Sequence, residues 1–115
     1  MKELEKRIRK LLLEVGVDPS SLGYKYLVEG IRLVCEDNSY LDNITIKLYP
    51  TIAWAFDAKA YRCERAMRYA IAGAVMNNPN IQKTLLMAPK QNSGTYTVSQ
   101  FIALCAEFLK MEGEK

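Results

Sequence analysis

Histidine is absent from this chain of 115 residues. Without an imidazole the chain cannot form a His-based catalytic triad, a histidine zinc site or an imidazole switch that titrates near neutral pH. The three cysteines are far apart in sequence, and their odd number argues against a disulfide framework. No apolar run approaches the ~20 residues that a membrane span requires. We therefore expect a cytoplasmic protein that is not an enzyme and has no catalytic residues, metal or cofactor.

The composition is that of a globular protein, with 50% hydrophobic and 25% charged residues. Domains typically contain ~50–250 residues, so this length predicts one domain over 1–115. Apolar residues recur at helical spacing along most of the chain, and no repeat or low-complexity tract interrupts them. The sequence thus predicts an all-α fold, a compact bundle of about six or seven helices.

Turn and cap residues set the predicted helix boundaries. Gly16 suits a left-handed helix end, Pro50 suits a first helical turn, and the segment 97–100 (Thr-Val-Ser-Gln) matches a capping box. The segment 41–49 is ambiguous because its β-branched residues also suit a strand. No second alternating segment offers it a partner, so we interpret it as helical. The predicted helices are 2–15, 22–36, about 41–48, 50–56, 59–76, a short one near 81–86, and a last one from 97.

The helix predicted at 59–76 has two chemically distinct faces. On a helical wheel one arc is apolar and faces the core, and it contains Ala60, Cys63, Met67, Ala70, Ile71 and Ala74. The opposite arc contains Tyr61, Arg62, Arg65, Arg68, Tyr69 and Ala72. Lys59 and the three arginines, offset by Glu64, give this segment a net charge of +3, which equals that of the whole chain. The positive potential is therefore concentrated on one helix.

Arginine is well suited to bind DNA, because its guanidinium can donate two hydrogen bonds to guanine or clamp a phosphate. Glu64 can accept from the cytosine amino group, and it lies four residues before Arg68, where an ion pair can form. A basic helical face is more often a solvated surface, so this stripe alone leaves both interpretations open. The short helix and turn that precede it favour DNA, because a helix, a short turn and a longer basic helix form a helix-turn-helix, here about 50–76.

Several motifs occur in an order that resembles a known family. They are Gly16-Val17, Gly23-Tyr24 with Tyr26-Leu27, Ile44-Thr45, Leu48-Tyr49-Pro50 with Ile52-Ala53, and Arg62-Cys63-Glu64-Arg65-Ala66-Met67-Arg68 with Ala70-Ile71. Together they resemble the C-terminal effector domain of the master sporulation response regulator of endospore-forming Firmicutes. The resemblance runs from about 12 to 75 and resumes at 97–103, whereas 77–96 match poorly.

This resemblance implies an all-helical transcription regulator that binds short DNA boxes similar to TGTCGAA, often in tandem, where it could act as a homodimer. By position, Arg62, Glu64, Arg65 and Arg68 match the family's base- and phosphate-contacting residues. The predicted DNA-binding set is Lys59, Tyr61, Arg62, Glu64, Arg65, Arg68 and Tyr69. The chain departs from the family at Tyr61, where serine is usual, and at Tyr69, where histidine is usual.

A second hypothesis treats the chain mainly as a protein-interaction module with weak or altered DNA binding. Its partner would be an RNA polymerase sigma factor or a full-length regulator, and the motivation is the aromatic residues Trp54, Tyr61 and Tyr69. The receiver domain of the full regulator is not part of this sequence. We expect either a stand-alone protein or a segment of a longer one, and no residue here supports control by phosphorylation.

Overall fold

The second helix is the centre of the fold. A computed structural model describes residues 2–89 and 94–113, and its six α-helices confirm the predicted all-α class, with no strand among those residues. The helices are α1 (Glu3–Val15), α2 (Leu22–Glu36), α3 (Tyr49–Ala55), α4 (Ala60–Asn77), α5 (Ile81–Leu85) and α6 (Val98–Gly113). Helix α2 packs against α1, α3, α4 and α6, and for that reason it is buried on most of its circumference.

The first helix ends as its glycine predicts. Gly16 has φ +98°, and its N–H donates to the Leu13 carbonyl at 3.1 Å. The next N–H, that of Val17, donates to the Leu12 carbonyl at 2.9 Å. These two bonds satisfy carbonyls that the end of a helix otherwise leaves without a partner.

The segment between α2 and α3 differs from the single helix predicted at about 41–48. A 3₁₀ helix occupies Asn38–Asp42 and a π-helical turn occupies Ile44–Leu48. They are separate because Asn43, at φ −141° and ψ 61°, leaves the helical region between them. The wider π turn buries Leu48 completely and leaves Ile46 81% exposed. The absence of a partner strand indicated helical backbone here, but it did not predict the change in helix type.

The capping box predicted at the start of α6 forms only in part. The Thr97 hydroxyl accepts from the Gln100 N–H at 3.1 Å, which is half of the motif. The Gln100 oxygen does not return the bond by accepting from the Thr97 N–H, and the Gln100 nitrogen donates to the Met87 sulfur at 3.4 Å. The Gln100 oxygen is buried and has no hydrogen-bond partner among the residues that the structure describes. The sequence between the last two helices, with Pro89 and Gly94, predicts a loop over 88–96, and this loop lies partly outside the described residues, at 90–93.

A tight turn joins α3 to α4. Pro50 lies in the first turn of α3, as predicted. After the helix ends, Asp57 takes a left-handed backbone with φ +50°, and the Ala58 N–H donates back to the Ala53 carbonyl at 2.9 Å. This reversal uses only 56–59, so α3 and α4 stay in contact and α4 starts within one residue of its predicted position.

Two glycines bring α2 close to its neighbours. A Cβ placed on Gly23 would lie 2.2 Å from the Ala66 carbonyl oxygen of α4. At Gly30 a Cβ would meet the terminal methyl groups of Ile52 and Ile102 at 3.1 and 3.2 Å. The backbone contact at Gly23 is the shorter of the two. It also tolerates an added methyl group less well, because a helix carbonyl cannot rotate away as a side chain can.

We expect Gly23→Ala to destabilise the protein by ~1–3 kcal/mol, because the added methyl must push α2 away from α4. The matched control is Gly73→Ala within α4, where an added Cβ meets nothing within 4 Å. That change should stabilise the protein by roughly 0.5–1 kcal/mol through helix propensity. Urea unfolding followed by circular dichroism measures both. Equal effects of the two substitutions would contradict the proposed contact.

Candidate nucleic-acid interface

Helix α4 divides its side chains as the wheel predicts. Its buried face consists of Cys63, Met67, Ala70, Ile71 and Ala74, whereas Ala60 is only half-buried. On the opposite side Tyr61 is 63% exposed and Tyr69 57% exposed, and Arg62, Arg65 and Arg68 are exposed with them. Lys59 is also exposed, and Glu64 and Ala72 are half-buried at the edges. The structure thus presents the predicted cations and tyrosines on one surface, called here the arginine stripe (residues 59, 61, 62, 64, 65, 68 and 69).

Each arginine of the stripe is hydrogen-bonded to another side chain of α4. The predicted ion pair is confirmed, since Arg68 Nε donates to Glu64 Oε1 at 3.1 Å. Arg65 Nε donates to the Tyr69 hydroxyl at 3.0 Å. Arg62 Nε donates to the Tyr61 hydroxyl at a longer 3.3 Å, and this bond raises the pKa of Arg62 above its already high value. The Arg62 guanidinium therefore stays charged.

The three bonds share one chemical feature, which is that the donor is always Nε. Among the residues that the structure describes, none accepts a hydrogen bond from the terminal Nη atoms of Arg62, Arg65 or Arg68. The Nη edge of a guanidinium can donate two parallel hydrogen bonds to one ligand. The stripe thus keeps its bidentate donors accessible while the inner part of each guanidinium is held by the helix.

A cleft at one side of the stripe lies between α4, α3 and α6. It has a volume of about 260 Å³, and its lining includes Tyr49, Glu64, Arg68, Thr97 and Ser99. Burial, and secondarily the carboxylate of Glu64, raises the pKa of Tyr49 to about 12. The tyrosine therefore remains a neutral hydrogen-bond donor beside the carboxylate over the whole physiological range.

A family model described as sporulation initiation factor Spo0A C terminal matches residues 8–109. The chain belongs to this family. The Spo0A C-terminal family is one of DNA-binding regulatory domains of sporulation and is not an enzyme family. Double-stranded DNA is accordingly the partner class that membership supports. The match also spans 77–96, the segment in which the sequence motifs showed little resemblance.

The structure adds one residue to the surroundings of the stripe that sequence reasoning missed. Leu22, at the start of α2, is 57% exposed and borders a groove of about 440 Å³. The other lining residues are Tyr61, Arg62, Arg65, Ala66 and Tyr69. No sequence signal pointed to Leu22, because its place beside α4 arises from the packing of α2 at Gly23.

Outside the stripe the described residues offer few reactive groups. The cysteines are free, with Cys63 buried as predicted, Cys105 also buried and Cys35 half-buried against the core. Burial raises the pKa of all three thiols and makes them poor nucleophiles at neutral pH. Within 2–89 and 94–113 no group of three metal-ligating side chains comes together. The same ranges contain no helix with the length and apolar character needed to cross a membrane.

The environment of Tyr49 yields a titration prediction. Unfolded tyrosine has a pKa of about 10, so the neutral side chain favours the folded state below pH 10. That contribution is lost as the pH rises through the folded value of about 12. In an absorbance titration at 295 nm, Tyr49→Phe should remove one late-ionising equivalent, and Glu64→Gln should move it to lower pH. The late signals of Tyr26 and Tyr96, whose pKa values burial also raises, should remain. An unchanged late amplitude in Tyr49→Phe would contradict the assignment.

Proposed function

We propose that this domain, over 1–115, binds double-stranded DNA in a sequence-specific manner and regulates transcription in sporulation. In this proposal α3, the turn and α4 form a helix-turn-helix at about 50–76, and the 59–76 segment lies in the major groove. The observation that carries the proposal is the arginine stripe, whose three exposed guanidinium groups keep their Nη edges accessible. As a regulator of chromosomal genes the domain acts in the cytoplasm.

Each residue of the stripe has a role that follows from its chemistry. Arg62 and Arg65 are suited to read guanine through O6 and N7, or to clamp phosphate. Arg68 does the same with its orientation fixed by Glu64, and the second carboxylate oxygen of Glu64 can accept from a cytosine amino group. Lys59 precedes an α4 N-terminus with no acidic residue in its first turn, so its charge and the helix dipole together favour a phosphate.

The hydroxyl groups of Tyr61 and Tyr69 can bind phosphate or pack against sugar at the edges of the contact. Because the family usually carries serine and histidine at these two positions, we propose that the preferred box differs in part from TGTCGAA. Tandem boxes would seat two copies of the domain side by side as a homodimer.

The decisive variant is Arg62→Ala. We expect it to lose ~1–3 kcal/mol of binding free energy for a TGTCGAA duplex and to relax base preference, because a bidentate guanine contact disappears. Fluorescence anisotropy at several salt concentrations, with the box and a scrambled duplex, measures both effects. Arg9→Ala on α1 removes the same charge outside the stripe and should change little. Equally weak binding of the unmodified protein to both duplexes would contradict the proposal.

The alternative function is favoured by a separate apolar surface. Trp54 is 86% exposed on α3, beside the exposed Ile46 of the π turn, so it does not cover the edge of the core. These two residues line a shallow groove together with Lys47, Pro50 and Thr51. Exposed aromatic and aliphatic groups are typical of protein interfaces. The partner proposed for this surface is an RNA polymerase sigma factor or a full-length regulator.

A pull-down with purified sigma factor and full-length regulator in nuclease-treated buffer tests this alternative. Trp54→Ala should lower capture at least tenfold if the surface binds protein, since buried tryptophans commonly dominate interface energetics. Arg62→Ala should leave that capture unchanged. If nuclease treatment abolishes capture of these proteins by both variants and by the unmodified chain, the protein-binding function is contradicted.

A further inference from the structure

Tyr69 contacts two arginines of the stripe at once. Its hydroxyl accepts from Arg65 Nε at 3.0 Å, and its ring centroid lies 5.4 Å from the guanidinium carbon of Arg65. The guanidinium carbon of Arg68 lies 5.6 Å from the same ring. Both distances are within the range in which a cation is attracted to an aromatic face. One side chain thus holds two like charges close together on an exposed helical surface.

The geometry of this contact suits orientation more than stability. Tyr69 is four residues after Arg65, where side chains on a helix meet. A tyrosine has only two side-chain torsions, so its hydroxyl is a well-defined acceptor for the flexible arginine. The corresponding contact of Tyr61 with Arg62 joins adjacent residues and is weaker. Arg62 Nε lies 3.3 Å from the Tyr61 hydroxyl, and the guanidinium carbon lies 5.9 Å from the ring centroid.

We propose that Tyr69 is a positioning residue that fixes the guanidinium groups of Arg65 and Arg68 for base reading and so determines part of the DNA sequence preference. The inference rests on the proposed DNA-binding function. A bidentate contact with guanine requires a fixed guanidinium plane, whereas a phosphate accepts donors from many directions. Tyr69 should therefore affect the affinity for a specific box far more than the affinity for unrelated DNA.

The positioning itself can be measured without DNA. NMR relaxation of the arginine Nε–H groups reports how strongly each side chain is held. Tyr69→Phe keeps the ring and removes the acceptor, so it should lower the order of the Arg65 Nε–H and leave that of Arg62 unchanged. Tyr69→Gln supplies an acceptor without a ring and should restore much of that order. An Arg65 signal that is equally ordered in the Tyr69→Phe variant would overturn the positioning role.

The effect on base reading is measured with a TGTCGAA duplex and a scrambled duplex of equal length. We expect Tyr69→Phe to weaken box binding about three- to tenfold and scrambled binding much less, since a phosphate contact of the lost hydroxyl would affect both duplexes alike, with salt dependence and thermal stability unchanged. Tyr40→Phe is the matched control, because it makes the same chemical change in a tyrosine whose ring faces Lys47 at 4.6 Å on other elements. It should change neither affinity.

The possible outcomes distinguish failure of the Tyr69 role from failure of the proposed DNA-binding function. An equal loss of affinity for both duplexes, or no loss for either, would overturn the role of Tyr69 in base reading. Failure of the unmodified protein to discriminate between the duplexes would overturn the proposed function and the base-reading role together. In that case the relaxation measurement still decides whether Tyr69 positions Arg65.

Discussion

The direct backbone contact between α2 and α4 at Gly23 determines which face of α4 is buried and which is exposed to solvent. Because a Cβ at this position would lie 2.2 Å from the Ala66 carbonyl, α4 can approach α2 only along the face that carries Ala66 and Ala70. Met67 and Ile71 are then buried in the core. Helical geometry sends the arginines to the opposite side, so one tight contact orients the whole stripe toward solvent.

The stripe combines concentrated charge with local order. Its net charge of +3 equals that of the entire chain, so long-range attraction of a polyanion acts mainly through α4. Attraction alone gives no sequence preference, which requires donors in fixed directions. The acceptors Glu64, Tyr69 and Tyr61 hold the Nε atoms of the three arginines, so this helix orders its own donors before any ligand is present.

Most of the helices and the exposed stripe could be predicted from the sequence, because both depend on local periodicity and on caps such as Gly16 and Pro50. The ion pair between Glu64 and Arg68 is likewise a matter of i, i+4 spacing. Three features could not be predicted in this way. They are the helix type at 38–48, the incomplete capping box at Gln100 and the approach of Leu22 to the tyrosines. The helix type follows from the non-helical backbone of Asn43. The other two features depend on contacts between segments distant in sequence, which periodicity does not encode.

The positions of the cationic and apolar surfaces bear on how such a domain works. The charges lie on α4, whereas Trp54 and Ile46 lie on α3 and the preceding π turn. Helix α3 is anchored to the core by Ile52 and Ala53, which leaves Trp54 to point into solvent. Since different elements carry the two surfaces, occupation of one does not require the atoms of the other. The surfaces proposed for DNA and for a protein partner are therefore separable, and a substitution in one leaves the atoms of the other in place.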